Sequence, residues 1–220
     1  MSDFTGFVPS TAKNEIVNFY HMMNSIENNY YLGAYYLFMG LRDLWCSEKA
    51  IEFYTNNAQK TMDLDNEFIN LINTITNKAI DAYNDMARAN NSLAFSDALV
   101  SSNLDTNKQY DAESCFPAFN SEDPDTGIVG MNVKQVELEL NQYVNSMNDV
   151  VTSLDDVPTE IAFYDPDGSI QAAYRSLIEQ MKTKIPERIN AVKEDIKNAI
   201  ETERDVTVFA KKQATEVLRG

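Results

Sequence analysis

From Ser47 to Ala89 the chain runs for 43 residues without a glycine or a proline. Along that stretch Ile51, Tyr54, Ala58, Thr61, Asp65, Phe68, Ile72, Ile75, Ala79, Ala82 and Met86 recur at alternating spacings of three and four. Side chains so spaced share one face of an α-helix, and at 1.5 Å per residue an unbroken helix would reach about 65 Å. An apolar face of that length must be buried against other helices, which excludes most sheet-based architectures. Thr61 and Asp65 interrupt the seam, either as a partly solvated patch or as a polar contact that fixes register.

Three further segments repeat the pattern. Ile16, Phe19, Met23, Ile26, Tyr30, Gly33, Leu37, Gly40 and Leu44 form the first, with Pro9 and Ser10 as its start signal. Gly33 and Gly40 fall on this seam, where each costs about 1 kcal/mol of helix propensity relative to alanine. That cost predicts the close approach of a partner helix. Val133, Val136, Leu140, Tyr143, Met147, Val150, Leu154 and Val157 form another, predicted to run up to Pro158. The last covers about 169–218, through Tyr174, Ile178, Met181, Ile185, Ile189, Val192, Ile196, Ala199, Val206 and Ala210. Pro186 lies inside it and predicts a kink or a break. With only 7 glycines and 6 prolines, there are too few turn residues for an all-β chain. The expected fold is therefore all-α: two long helical hairpins forming an antiparallel, coiled-coil-like four-helix bundle. The hairpins would occupy 1–91 and 131–220, joined by a polar linker at 92–130 that its "CFPAF" patch is expected to pin in part to the bundle.

A net charge of −16 repels phosphate backbones and anionic membrane surfaces, so nucleic acid is excluded and protein partners are favoured. No apolar run reaches the ~20 residues of a membrane span, and stable membrane insertion is not expected. The N-terminal "MSDFTGFVPSTAKNE" has no basic region followed by an apolar one, so no cleaved signal peptide is expected. Cys46 and Cys115 allow one disulfide but no stapled framework, and their pairing is left open.

The two predicted hairpin turns invite comparison. In "DLWCSEKAIEFY", Trp45 is followed by Ser47, Ala50 and Phe53 at +2, +5 and +8. In "DPDGSIQAAY", Gly168, Ala173 and Tyr174 stand at +2, +7 and +8 from Pro166. The second turn keeps a small residue, an alanine-rich helix start and an aromatic, which a repeated supersecondary unit explains. The first turn resembles the motif of the WXG family, the ESAT-like helical hairpins of type VII (ESX) secretion. Serine stands where that family has glycine, and serine is a good helix N-cap. The resemblance implies a hairpin over about 11–90 and, with a degenerate second copy, another over about 131–217. It also implies a protein made in the cytoplasm and secreted without a cleaved signal peptide, in virulence-associated traffic. No tyrosine has an acid four residues on, so the family's Tyr-x-x-x-Asp/Glu export signal would come from a partner. Trp45 would cover the bundle end, with its N–H on solvent or a carbonyl, and could in addition serve a recognition surface.

Signatures of catalysis are missing from the sequence. His21 is the single histidine, so metal-binding histidine pairs cannot form, and a couple with either cysteine would need a chance meeting in space. The two "DPD" pieces, at 123–125 and 165–167, have Lys134 and Ser176 where a calcium loop needs glutamate, and read as turns. Asp167 or Ser169 is expected to cap the fourth helix. No catalytic residue, cofactor or metal is assigned. The expected function is a non-enzymatic protein–protein interaction module, a type VII secretion substrate or partner that binds helical or secretion-machinery proteins. The alternatives are a cytoplasmic coiled-coil adaptor or chaperone with a coincidental turn, and an export module of a larger toxin.

Overall fold

The computed structural model describes residues 9–90, 109–125 and 129–217. About 80% of these are helical and almost none are in sheet, so the chain is all-α. Helix α1 spans Pro9–Leu44 and α2 spans Glu48–Asn90, with a two-residue strand β1, Trp45–Cys46, between them. A short α3 (Ala112–Cys115) and strand β2 (Gly130–Met131) precede α4 (Val133–Ser153) and the long α5 (Ser169–Val217). The unbroken stretch after Ser47 thus forms one helix of 43 residues, as its lack of breakers predicts. The linker positions 91–108 and 126–128 and the side chains of Val206 and Ala210 lie outside the described residues.

Contacts divide the structure into two compact units, each built from three stretches of chain. One unit takes α1 up to Asn29, α2 from Leu64 and the stretch Val150–Lys184; the other takes Tyr30–Asp63, Tyr110–Asp149 and α5 from Ile185. This division cuts across the helices, whereas the sequence reading divides the chain along its length at 91 and 131.

Two helix ends differ from expectation. Helix α4 stops at Ser153, leaving Leu154 and Val157 beyond it, although proline comes only at position 158. The last turn tightens, with Leu154 N–H bonded to the Val151 carbonyl and Asp155 N–H to the Thr152 carbonyl. The Ser153 hydroxyl takes the Val150 carbonyl at 2.7 Å. Asp155 and Asp156 add negative charge where the helix dipole is already negative. The segment from α4 to α5 is consequently a 154–168 connection, so the second reversal is not the tight turn that the repeat comparison suggests. Helix α5, by contrast, passes through Pro186 without a break.

Within the first unit, Phe19 meets Phe163 and Tyr174 edge-on, with centroids 5.4 and 5.7 Å apart. Lys184 pairs with Glu67, and Asp65 and Glu27 are fully buried. In the second unit α4 crosses α1 at the seam glycines. A Cβ on Gly33 would overlap the Met147 methyl and come within 3.0 Å of Ser146 Oγ; on Gly40 it would lie 2.6 Å from Glu139 Oε2. The close approach predicted from the glycines is therefore present. Gly40→Ala should be nearly neutral, because the half-buried Glu139 side chain is flexible enough to swing aside and alanine regains helix propensity. Gly33→Leu should cost about 1–3 kcal/mol through overpacking against the buried Met147. Chemical denaturation of the two variants compares these directly.

The solvated-patch reading of Thr61 and Asp65 does not hold, since both side chains are buried. The reason is the width of the α2 face. Phe53, Asn57, Met62, Ile69, Asn73, Thr76, Ile80 and Tyr83 are buried beside the seam, so α2 is enclosed by more than one neighbour rather than zipped along one line.

Candidate interaction site at the first hairpin turn

Trp45, Ser47, Ala50 and Phe53 converge at the reversal between α1 and α2, and all four are buried. Extended backbone at Trp45–Cys46 carries the chain across the end of α1. Ser47 then starts α2 as its N-cap: its hydroxyl accepts the Ala50 N–H at 3.2 Å, and its carbonyl accepts the N–H groups of Ala50 and Ile51. The same hydroxyl accepts the indole N–H of Trp45 at 2.9 Å. A second acceptor, Glu203 Oε1 on α5, lies 3.4 Å from that N–H. The indole thus bonds to a hydroxyl and a carboxylate rather than to solvent or a carbonyl. Phe53 packs on it with centroids 5.5 Å apart. A serine at +2 does here what a glycine could not: it caps the helix and bonds the tryptophan together.

The linker closes over this turn. Trp45 and Cys46 pair antiparallel with Met131 and Gly130, and Asn132 N–H bonds to the Leu44 carbonyl at 2.8 Å. Upstream, Asp111 caps α3 by accepting the Glu113 N–H. Phe116 then stacks on Phe38 at 4.5 Å, and Phe119 meets Tyr54 at 5.4 Å. The "CFPAF" patch is pinned as expected. Burial pushes the Tyr54 hydroxyl and the Cys46 thiol up from their ordinary values. Both cysteines are free thiols. Beside the turn, a groove of about 240 Å³ runs between α2 and α5, with Trp45, Phe53 and Ala199 below and Lys49, Glu52, Asn56, Asp195, Asn198 and Thr202 along its sides.

The second predicted turn lies in the other unit and is built differently. Gly168 sits at φ +74°, a left-handed conformation that glycine adopts without strain. Its carbonyl accepts the Ala172 N–H. Asp165 is the main cap, accepting the N–H groups of Ile170 at 3.2 Å and Gln171 at 2.7 Å, while Asp167 accepts Ser169 N–H. Asp165 thus caps α5 alongside the expected Asp167. Tyr174 is buried and donates its hydroxyl to the Pro158 carbonyl, and Ala173 is half-buried. The Tyr174 hydroxyl is pushed up by burial.

Two of these capping carboxylates give a pH prediction. The Ser169 N–H and hydroxyl hold Asp167 below the usual carboxylate range, and the Ser114 hydroxyl and Glu113 N–H do the same for Asp111. A depressed folded pKa means stability that is complete above the unfolded value of about 3.9 and lost as pH falls through the folded one. Unfolding midpoints should therefore respond to Asp111→Asn and Asp167→Asn at pH 7, with the difference from the parent vanishing in strong acid.

Among the described residues no group of three or more histidine, cysteine, aspartate or glutamate side chains is placed to hold a metal ion. No helix among them is long and apolar enough to cross a membrane. No protein-family profile, curated protein or solved structure matches the chain.

Proposed function

We propose that the chain is a non-enzymatic protein–protein interaction module, exported by or acting with a type VII secretion system. In this reading its two hairpins pair as an antiparallel four-helix bundle. The observation that carries it is the turn: Trp45, Ser47, Ala50 and Phe53 form one buried, hydrogen-bonded unit at a helix reversal, on the residues by which the turn resembles the WXG motif. Pairing of Trp45 with Met131 supports the antiparallel arrangement, because it sets the first turn beside the start of α4, the open end of the second hairpin. The glycine-mediated approach of α1 and α4 supports it too. Since the indole is fully buried, its part in recognition is to hold the turn, and the partner contacts the polar sides of the neighbouring groove. The partner would supply the Tyr-x-x-x-Asp/Glu signal that this chain lacks. Export is tested by quantifying the protein in culture supernatant with and without the system's membrane ATPase. The proposal expects release that depends on the ATPase; equal amounts in the two supernatants, or none in either, would count against it.

A further inference from the structure

The second unit has a polar layer in its core. Arg188 of α5 is more than nine-tenths buried. Its Nε donates to Thr61 Oγ1 at 3.2 Å, and its Nη2 donates to both the backbone and side-chain oxygens of Asn57. Asn57 donates in turn to Asp195 Oδ2 at 2.9 Å, while Tyr30 donates its hydroxyl to the Thr61 carbonyl. The layer thus links α1, α2 and α5.

Each acceptor that Arg188 uses is neutral, so desolvating the guanidinium is not offset by an opposite charge in these bonds. Apolar side chains of similar volume commonly replace such buried charges with no loss of stability. What they do not replace is discrimination between alternative pairings, the attested use of a polar residue on an apolar seam. The flanking residues of α5, Ile185, Ile189, Val192 and Ile196, repeat at spacings of three and four, so a slip of one heptad in either direction keeps three of the four positions apolar. The layer does not tolerate it. A slip of seven along α2 puts Leu64 and Phe68 where Asn57 and Thr61 stand, removing the amide and the hydroxyl together; the opposite slip puts Ala50 and Tyr54 there, removing the amide and setting a bulky ring in place of the small hydroxyl.

We propose that Arg188 selects the register in which α5 recognises the first hairpin, with Asn57 and Thr61 as its address on α2. The inference holds whether or not the protein is exported.

The test uses the full chain with Cys46→Ala and Cys115→Ser, spin-labelled at Lys60→Cys on α2 and Asn198→Cys on α5, both exposed positions. Pulsed electron resonance should give one narrow distance in this parent. In the apolar-layer variant Asn57→Leu/Thr61→Val/Arg188→Met, thermal unfolding should occur at the same or a higher temperature. The labels should then show a second population, displaced along the helix axis by about 10 Å, one heptad at 1.5 Å per residue. Arg188→Met alone takes the donor from Asn57 Oδ1 and Thr61 Oγ1, so it should both broaden the distribution and lower the unfolding temperature. A single narrow distance in both variants overturns the proposal. So does an apolar-layer variant that fails to fold, because the layer would then be needed for stability rather than for register.

Discussion

Trp45→Ala is expected to destabilise the protein by about 3–5 kcal/mol, the range for deleting a fully buried large aromatic. The indole is the largest fully buried side chain in the described structure. Its removal opens a cavity against Phe53 and strips Ser47 and Glu203 of the N–H that both accept. Trp45→Phe separates these contributions. It restores most of the volume but leaves the hydroxyl and the carboxylate without the donor, so a loss of about 1–2 kcal/mol is expected. Ser47→Ala should cost a similar amount, since it removes the α2 cap and one of the indole's acceptors. Urea unfolding followed by far-UV circular dichroism measures all three. A Trp45→Ala loss below about 1 kcal/mol would mean that the turn contributes little to holding the hairpin.

The second large effect is expected at Phe116→Ala, again about 3–5 kcal/mol. Phe116 lies in what composition alone marks as linker, yet it is buried and stacks face to face on Phe38 at 4.5 Å, with Tyr31 at 6.4 Å. Its carbonyl also accepts the Tyr54 hydroxyl at 3.4 Å. The loss should appear both as a lower unfolding midpoint and as faster proteolytic cleavage around 109–119, because α3 is one turn long and holds its place through this ring. Faster cleavage with an unchanged midpoint would show instead that the segment detaches locally and that the helices are complete without it.

The helices were legible because their information is local and repeated. Spacings of three and four along α1, α2, α4 and α5 settle which face is buried, and the absence of breakers lets α2 run unbroken. The purpose of Gly33 and Gly40 could also be read, since a glycine on an apolar seam has few uses other than close approach. The end of α4 was not legible: proline is a visible stop, whereas a serine folding back on its own helix and two acids at the wrong pole are individually weak signals. Polar residues on the seam were underread for the same reason. Thr61 looks like an interruption until Arg188 is brought beside it, 127 positions away. Arg188 carried its own signal, an arginine between Ile185 and Ile189 on an apolar face, but its partners Asn57 and Thr61 depend on tertiary register. The same holds for Glu203 and the indole N–H. At the turn itself, residue types and spacing sufficed to find Trp45, Ser47, Ala50 and Phe53, while the linker strand that seals them came only with the fold.

Association of the two halves tests the paired-hairpin reading most directly. Fragments 1–124 and 125–220, the first keeping Phe116 and Phe119 on their partners Phe38 and Tyr54, can be expressed separately, mixed and followed by size-exclusion chromatography with light scattering. Paired hairpins predict a one-to-one complex with more helix than the sum of its parts, weakened by Trp45→Ala in the first fragment and by Arg188→Ala in the second. Two fragments that stay apart, with unchanged helix content, would contradict it.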